Sequence, residues 1–376
     1  MARKIRVGVI FGGRSVEHEV SLVSAASVIN ALDREKYEIL PIGITPEGRW
    51  LSSAEAVALL KQKGNIDQLP EHILVPDPRK KGLVPLQNSS SSVPSHPVDV
   101  LFPVLHGTYG EDGTIQGLFE LADIPYVGSG VLGSALGMDK VVQKQLLRQA
   151  EIPVTPDVWF YLEEFTRAQR KIIASIERKL GYPCFVKPPN LGSSVGISKA
   201  HDRKELARAI QHAGEFDLKV LVEKGIQKAR EIECSVLGNE DPIASVPGEI
   251  IPSNEFYDYD AKYVDGKSSA VIPAKLPRPV AKKVQQYAVE GFKVLNSSGM
   301  ARVDFLVTKG RNKIYLNELN TIPGFTSISM YPKLWQASGV SYPELLDRLI
   351  QLAFERHKAK ENLKTTYRPK ADWYKG

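Results

Sequence analysis

The sequence has few of the residues that cross-link small proteins or bind metal clusters. It contains only two cysteines in 376 residues, and both Cys184 and Cys234 lie in apolar, strand-like contexts. Isolated cysteines in such contexts are typical of buried small side chains, so a disulfide or a paired-cysteine metal site is not expected. There is no HExxH pair, and the seven histidines show no metal-ligand spacing.

The chain also lacks long hydrophobic segments. Only a short apolar run precedes Gly12 and Gly13, and it is too short for the core of a signal peptide. No stretch approaches the roughly 20 apolar residues that a membrane-spanning helix needs. These absences predict a cytoplasmic protein that makes no membrane contact.

Neither sign of charge dominates the composition. Lysine and arginine total 49 against 43 for aspartate and glutamate, which gives a formal net charge of +6. Nucleic-acid binders usually carry basic stripes interleaved with aromatic residues, and no such stripe is present. An anionic small substrate explains the balance equally well, so nucleic-acid binding is the weakest hypothesis.

The beginning of the chain has the pattern of a doubly wound α/β domain. Residues 5–11 are an apolar run, a Gly-Gly turn follows, residues 17–32 have helical spacing, and residues 38–44 form a second apolar run. This order is typical of a parallel sheet with helices on both faces. Residues 62–97 have no clear period and are predicted to form an irregular surface insertion.

Shorter strands and helices alternate through the rest of the chain, which predicts smaller α+β units. A further helix is expected to carry Met138, Asp139 and Lys140, and residues 252–272 read as a loop rich in aromatic and charged residues. The other predicted elements are strands at 98–105, 124–127, 184–188, 219–223, 230–237 and 243–251, and helices at 114–122, 166–180, 203–213, 279–295 and 342–360.

The most informative segment is a predicted hairpin at residues 301–307 and 314–321. Because side chains alternate between the faces of a strand, Arg302 and Asp304 share one face of their strand, and Glu318 and Asn320 share one face of theirs. If the strands pair, all four groups converge. Carboxylate and carboxamide oxygens suit Mg²⁺, and arginine suits an oxyanion or phosphate. A merely charged outer face is the plain alternative, but these charges interrupt strands that are otherwise apolar.

Two glycine turns are candidate anion sites. Residues 192–196 (Gly-Ser-Ser-Val-Gly) allow close backbone approach to phosphate oxygens, with Lys187 at a strand end just before them. The alternative for this loop is a flexible hairpin tip. The Gly-Gly turn before the first helix is a weaker candidate, where Glu17 could simply stabilise the helix end. A P-loop at Gly266 is rejected because Ala261 stands where the pattern requires glycine.

Taken together, these motifs resemble the D-alanine–D-alanine ligases of the ATP-grasp superfamily, over nearly the whole chain. The resemblance implies an N-terminal doubly wound parallel-sheet domain (1–137), then a two-part ATP-grasp fold with a central α+β part (138–225) and a C-terminal part (226–376). The matching motifs lie at residues 12–21, 106–114, 138–140, 186–188, 192–196, 257–263, 302–304 and 317–327.

The family resemblance implies how ATP and metal are bound. The loop at 192–196 covers the phosphates, and two Mg²⁺ ions (or Mn²⁺) act with them. By matching motif, the ATP contacts are Lys140, Lys187, Ser194, Glu223, Glu231 and Lys262, and the metal ligands are Asp304, Glu318 and Asn320.

The family resemblance also implies the substrate contacts. Glu17 holds the ammonium of the first D-alanine, and Ser193 and Tyr263 link Glu17 to residues 252–272, which close as a lid. Arg302 and the backbone near Gly324 stabilise the oxyanion of the acyl-transfer step. The remaining substrate contacts are His106, which lies in a matching motif, and Ser327 and Ser329, which receive the second substrate's carboxylate.

The resemblance predicts the product D-alanyl-D-alanine, a peptidoglycan precursor, made by a cytoplasmic enzyme that is a homodimer. Tyr263 matches ligases that use D-alanine as the second substrate. Ile328 departs from the family at a place where some members have histidine. Two alternatives stay open: another carboxylate–amine ligase of the same superfamily, and an ATP-binding module without catalysis.

Overall fold

The computed structural model describes residues 3–53, 56–61, 71–86, 96–192, 194–251, 269–326 and 328–367. Over these residues the chain is a mixed α/β protein with several separate sheets. This agrees with the predicted mixture of helices and strands, and the doubly wound domain and the ATP-grasp parts stay predictions. No helix in the described ranges is both long and apolar enough to cross a membrane.

Strands and helices alternate along most of the chain. The strands are β1 (Ile5–Gly12), β2 (Tyr37–Ile44), β3 (Trp50–Ser52), β4 (His72–Leu74), β5 (Gly82–Pro85), β6 (His96–Pro97), β7 (Val100–Pro103), β8 (Asp157–Tyr161), β9 (Cys184–Lys187), β10 (Ser198–Ala200), β11 (Lys219–Lys224), β12 (Ala229–Gly238), β13 (Ile243–Ala244), β14 (Gly248–Ile251), β15 (Ser269–Val271), β16 (Gly299–Thr308) and β17 (Ile314–Asn320). The helices are α1 (His18–Ala31), α2 (Ala56–Lys61), α3 (Thr114–Leu121), α4 (Val131–Met138), α5 (Lys140–Gln149), α6 (Leu162–Lys179), α7 (Arg203–Ala213), α8 (Arg278–Val294), α9 (Met330–Ala337) and α10 (Tyr342–Glu361).

The first sheet has the strand order β3-β2-β1-β7. Strand β1 is parallel to both β2 and β7, and β3 is antiparallel to β2. The turn that follows β1 requires glycine, because Gly12 has φ +85° and a Cβ there would lie 2.2 Å from the carbonyl oxygen of Ile44. This turn directs the chain into α1, so the N-terminal end of α1 lies near the C-terminal end of β1.

The second sheet is antiparallel, with the order β10-β9-β11-β8. Its core is formed by apolar residues of these strands and of α6 and α7, and it includes the buried thiol of Cys184. This is the smaller α+β unit that the sequence predicts, and it carries Lys187 and Glu223 on adjacent strands.

The third sheet has the order β15-β14-β12-β16-β17, with β13 paired to β12. Helix α8 packs on it, and the second cysteine, Cys234, is buried in the resulting core. Both cysteines are therefore buried free thiols, as predicted. The last helix, α10, packs against α1 and β7, so the end of the chain shares a core with the first sheet.

Four expectations about local structure before residue 252 are wrong. The described part of 62–97 is not irregular, because β4, β5 and β6 form a small antiparallel sheet there. Residues 124–127 contribute one bridge, from Tyr126 to Leu101, in place of a strand. The strand expected at 243–251 is two short strands, β13 and β14. The helix expected through Asp139 breaks there, because that residue is extended (ψ 99°) and caps α5.

Candidate active site

Four polar side chains meet on one face of the hairpin formed by β16 and β17. The strands pair antiparallel, with Asp304 opposite Glu318 and Arg302 opposite Asn320. A bulge between Asp304 and Phe305 gives β17 one extra residue, and bulges beside functional sites often re-aim side chains. The predicted hairpin and the convergence of its polar residues are therefore confirmed.

Arg302 is held by two carboxylates at the centre of this face. Its Nε and Nη2 donate to the two oxygens of Asp304 at 2.8 and 2.7 Å, and Nε lies 3.1 Å from Glu233 Oε2. Burial disfavours the charged guanidinium, but Asp304 and Glu233 outweigh this effect and raise the pKa of Arg302. Asn320 Nδ2 donates a further bond of 3.2 Å to Asp304 Oδ2. Arg302 is thus a permanent cation beside the predicted metal ligands.

The break before α5 directs Lys140 into the site. Asp139 accepts bonds from two backbone N–H groups of the first helical turn at 3.0 and 3.2 Å, which is a typical N-cap. Lys140 Nζ then donates to the carbonyl of Leu191 at 2.9 Å and lies 3.5 Å from Glu318 Oε2. Lys140 therefore connects the loop beginning at Leu191 with the hairpin.

Glu223 is buried between two lysines. Lys187 and Lys144 each form an ion pair with it, and Thr155 donates to Glu223 Oε1 at 2.8 Å. Burial alone raises the pKa of a carboxyl, but the two lysines reverse the direction and lower the pKa of Glu223. Burial also opposes charge on Lys187, and here Glu223 prevails and raises the pKa of Lys187. The pKa of Lys144 is lowered, chiefly by burial.

Gln143, which lies on helix α5 with Lys140 and Lys144, holds the backbone of β17 in place. Its carboxamide accepts the N–H of Leu319 at 3.0 Å and donates to the carbonyl of Leu319 at 3.2 Å. It also donates to Gly137 O at 2.9 Å, and the side chain is fully buried. Because Leu319 lies between Glu318 and Asn320, this clamp fixes the strand that carries two of the predicted metal ligands.

Glu17 lies in a pocket made by two glycines. It is buried, directly before α1. A Cβ on Gly192 would lie 2.4 Å from Glu17 Oε2, and a Cβ on Gly107, which has φ +74°, would lie 2.7 Å from the same oxygen. Both loops can approach the carboxylate this closely only as glycine.

His106 is buried, with both ring nitrogens on protein partners. Nδ1 lies 3.1 Å from the carbonyl of Ile322, and Nε2 lies 3.2 Å from Ser24 Oγ. Since a carbonyl only accepts, Nδ1 carries the proton, and burial lowers the pKa of His106, which favours this neutral form. Both ring nitrogens of His106 bond to protein groups. The predicted contact of His106 with substrate therefore stays a prediction.

Ser329 and Gly324 lie close together in the segment between β17 and α9. Ser329 Oγ accepts the N–H of Thr326 at 3.0 Å and lies 2.8 Å from the hydroxyl of Thr326. A Cβ on Gly324 would lie 2.7 Å from Ser329 Oγ, so glycine is needed for this tight approach. The arrangement offers a hydroxyl and a bare backbone to a small ligand.

Two cavities open at this face, and they share a wall. The smaller one has a volume of about 240 Å³, and the larger one has a volume of about 550 Å³. Glu17, His106, Glu111, Lys140, Gly324, Ile328 and Ser329 line only the smaller cavity, and Lys187, Glu223, Glu231 and Asp304 line only the larger one. Ser194, Arg302 and Glu318 line both.

The structure therefore brings together most of the residues singled out from the sequence. Ser193, Lys262, Tyr263 and Ser327 lie outside the described residues, as does 252–268 of the predicted lid. Residues 269–271 of that segment form strand β15 at the edge of the third sheet, so they are not loop.

Sequence reasoning missed three buried polar residues and one half-buried one. They are Lys144, Gln143, Glu233 and Glu111. The first two follow Lys140 by four and three residues, a spacing that places all three on one side of a helix and could have suggested a common target. Glu233 lies opposite Asp304 on the neighbouring strand, which only the pairing register reveals. Glu111 was visible in a motif but gave no sign of its distant contacts.

The donor set suits a hard divalent cation that is shared with phosphates. Within the described residues there is no group of three or more His, Cys, Asp and Glu side chains that could hold a metal. Mg²⁺ in nucleotide sites, however, usually takes one or two carboxylates and completes its shell with phosphates and water. Asp304 and Glu318, directly opposite each other with the Asn320 carboxamide beside them, fit that requirement.

Comparison with known sequences gives a consistent family. A profile described as "D-ala D-ala ligase N-terminus" matches residues 6–129, and one described as "D-ala D-ala ligase C-terminus" matches residues 146–351. A D-alanine–D-alanine ligase from Natranaerobius thermophilus is 50% identical over 372 residues, covering 97% of this chain and 99% of that protein. One from Thermoanaerobacter sp. is 51% identical over 362 residues, covering 95% and 98%.

Solved structures agree with the sequence relatives. The D-alanine–D-alanine ligase from Coxiella burnetii superposes with a TM-score of 0.80 at 37% identity, covering 95% of this chain and 97% of that one. The VanG D-Ala:D-Ser ligase from Enterococcus faecalis superposes with a TM-score of 0.82 at 39% identity, covering 93% and 100%.

Proposed function

The chain belongs to the D-alanine–D-alanine ligase family, and we propose that the residues described above divide its reaction between the two adjoining cavities. The reaction is the ATP-dependent joining of two D-alanines to D-alanyl-D-alanine, with release of ADP and phosphate, for peptidoglycan synthesis. The observation that carries the division is the shared wall of Ser194, Arg302 and Glu318. A phosphoryl group at that wall can be reached from both sides.

ATP occupies the larger cavity in this proposal. Lys187 supplies positive charge to the phosphates from within this cavity, and Lys140 does so from the smaller cavity, beside Glu318 of the shared wall. The backbone around Ser194 covers the phosphates. Ser194 has φ +62°, a conformation that turns successive N–H groups toward one side. Glu223 and Glu231 contact the base and the ribose. Lys262 completes the ATP contacts by family resemblance alone.

Asp304, Glu318 and Asn320 hold the divalent cations that accompany ATP in this proposal. When bound, Mg²⁺ or Mn²⁺ neutralises charge on the transferring phosphoryl group. Arg302 contributes by orienting Asp304, because its guanidinium binds both carboxylate oxygens. The family resemblance implied only an oxyanion role for Arg302, and its contact with Asp304 adds a second role.

The two D-alanines occupy the smaller cavity. Glu17 holds the ammonium of the first, which directs its carboxylate toward the shared wall. A carboxylate oxygen attacks the γ-phosphorus and ADP leaves, which gives an acylphosphate. Carboxylate oxygen is a poor leaving group, and phosphorylation converts it into a good one. By family resemblance alone, residues 252–268, including Tyr263, close over this intermediate and exclude water, with Ser193 linking them to Glu17.

The second half of the reaction takes place beside Gly324. The amine of the second D-alanine attacks the acyl carbon, the carbonyl oxygen becomes an oxyanion, and phosphate leaves with the former carboxylate oxygen. Arg302 and the backbone N–H groups near Gly324 stabilise the oxyanion. Ser327 and Ser329 receive the carboxylate of the second substrate, and His106 orients the neighbouring loop.

D-Alanine is proposed as the second substrate because of Tyr263. D-Serine is the competing candidate, since the VanG ligase of similar structure is named for it. Phosphate release from ATP with D-alanine, compared with D-serine, D-lactate and L-alanine as partners at neutral pH, tests the proposal. We expect D-alanine alone to support full turnover, and preferential use of D-serine or D-lactate would overturn the substrate assignment. The homodimer and the cytoplasmic location remain predictions of the family resemblance.

A further inference from the structure

Glu111 joins two loops that are far apart in the sequence. Its Oε2 accepts the backbone N–H of Gly107 at 2.8 Å, and its Oε1 accepts the backbone N–H of Ile322 at 3.1 Å. The side chain is half-buried and lines the smaller cavity. The proposed reaction gives this carboxylate no chemical role, although an ionisable group withdrawn from water is costly to keep.

The same loop also holds the carbonyl of Ile322. His106 Nδ1 donates to that oxygen, so its Nε2 must accept from the hydroxyl of Ser24. Ser24 Oγ in turn accepts the N–H of Phe325 at 3.4 Å. In each of these three hydrogen bonds a donor therefore meets an acceptor. Glu111 and His106 thus bind the N–H and the C=O of one residue, and Ser24 binds the chain three residues further on.

Ile322 is the point at which this arrangement matters for the reaction. It lies two residues after the proposed metal ligand Asn320 and two residues before Gly324, whose backbone faces the acyl-transfer step. The segment 321–325 has no regular secondary structure. Backbone hydrogen bonds of a helix or a sheet therefore do not fix the direction of the Gly324 N–H.

We propose that Glu111 is a positioning residue for the acceptor half of the site, acting through Ile322 on the backbone at Gly324 and on the second D-alanine. This inference rests on the proposed function. A carboxyl group is needed because two separate N–H groups require two acceptor oxygens, and both of its oxygens keep a lone pair whether or not the group is ionised. Glutamine keeps one acceptor and turns a donor toward the other N–H, and alanine removes both acceptors.

Asp112 provides a matched control in the same loop. Its two carboxylate oxygens also accept backbone N–H groups, from Tyr109 at 2.8 Å and from Thr114 at 2.9 Å. These partners are within three residues, so Asp112 stabilises only its own turn. Glu111→Gln and Asp112→Asn make the same chemical change, and only the first one breaks the connection to Ile322.

The kinetic test uses the full chain and initial rates over a wide range of D-alanine, which resolves separate Michaelis constants for the first and second substrate. For Glu111→Gln we expect a rise of about tenfold or more in the constant for the second D-alanine, with that for ATP changed less than about twofold. Asp112→Asn should stay near the wild type. If Glu111→Gln changed the Michaelis constants for ATP and for both D-alanines equally, or changed none of them, the proposal would be contradicted.

A second measurement needs no activity and separates this inference from the proposed function. Hydrogen exchange of the backbone around 322–326 should become at least about tenfold faster in Glu111→Gln than in the wild type or in Asp112→Asn. Ser24→Ala, a small change that keeps the fold, should accelerate exchange at Phe325. Unchanged exchange in both variants would overturn the positioning role, even if the wild-type chain ligates D-alanine. Absence of D-alanine-dependent turnover would overturn only the proposed function.

Discussion

Single side chains in this site are held in place by partners of opposite charge. Asp304 is bound at both oxygens by Arg302, and Glu223 is bound by Lys144 and Lys187. An uncompensated charge in such a position costs several kcal/mol, whereas a paired one is tolerated. The carboxylates are therefore paired and oriented before nucleotide arrives, which is the preorganisation that electrostatic catalysis requires.

Substitution of Glu318 tests whether this residue is a metal ligand. Replacing it with Gln keeps the shape but removes the negative charge that would bind a divalent cation, so turnover at saturating Mg²⁺ should fall about a hundredfold or more. Steady-state phosphate release measures this. Glu344→Gln, in an exposed pair with Arg348 on α10, is the control and should leave turnover unchanged. Wild-type turnover in Glu318→Gln would show that the metal ligands are elsewhere.

Glu111 makes a prediction about pH. Removal from water, with a smaller contribution from the charge of Glu17, raises the pKa of Glu111 from 4.5 to about 8. The unfolded chain loses this proton near 4.5 and the folded chain keeps it to about 8, so the contribution to stability is full below 4.5. It is lost as pH rises through 8, with a slope of at most about 1.4 kcal/mol per pH unit.

Urea unfolding between pH 5.5 and 8.5 measures that slope. The free energy of unfolding of the wild type should fall more steeply with rising pH than that of Glu111→Gln, which has no proton to lose at this position. The N–H groups of Gly107 and Ile322, and to a smaller extent Lys140, lower the pKa of Glu111 and narrow the pH window, but they do not reverse the sign. Parallel pH profiles for the two proteins would contradict the raised pKa.

At the scale of elements, α5 organises the site. Within its first five residues Lys140 reaches Glu318, Gln143 clamps Leu319 and Lys144 reaches Glu223. These targets are in two different sheets. Through these contacts α5 fixes the position of Glu223, which lines the larger cavity, relative to the hairpin.

Gln143→Leu tests the clamp. The substitution keeps the approximate volume but leaves the N–H and C=O of Leu319 without the Gln143 partner, so the free energy of unfolding should fall by about 2–4 kcal/mol. The Michaelis constant for ATP should rise, because Glu318 and Asn320 are no longer held. Chemical denaturation and initial rates measure both effects. Gln149→Leu, exposed at the end of the same helix, should show neither, and equal behaviour of the two variants would exclude the clamp.

The elements that sequence could predict are those whose pattern is local. The hairpin was predictable because β16 and β17 alternate around a short turn, and α1 because its apolar residues recur at helical spacing. The break at Asp139 was missed because the helical pattern continues through it, and only its capping bonds stop the helix. The clamp by Gln143 depends on a partner 176 residues away, which no local pattern contains.

At the scale of the whole molecule, the last helix holds the first sheet to the rest of the chain. Arg356 on α10 donates to the carbonyls of Gly128 and Tyr126 at 2.8 and 3.0 Å, and its guanidinium lies 4.1 Å from the ring centre of Tyr126. These contacts join the end of the chain to the bridge at Tyr126, and none of the three residues lines either cavity.

Arg356→Ala should therefore lower stability without changing catalysis. Loss of the two hydrogen bonds and the ring contact is expected to cost about 2–4 kcal/mol and to lower the melting temperature by several degrees. Thermal unfolding and the Michaelis constants are the measurements. Arg348→Ala, which breaks an exposed pair worth about 0.5 kcal/mol, is the control. A change in substrate constants without a change in melting would contradict this separation.

The central claim is that the first D-alanine, at the wall shared by the two cavities, takes the γ-phosphoryl group of ATP on its carboxylate. Ligation of D-alanine labelled with ¹⁸O at both carboxylate oxygens tests it most directly, with the released phosphate analysed by mass. Attack on phosphorus followed by loss of phosphate leaves one labelled oxygen in each phosphate per dipeptide formed, and this is the predicted result. Unlabelled phosphate accompanying dipeptide formation would contradict the account.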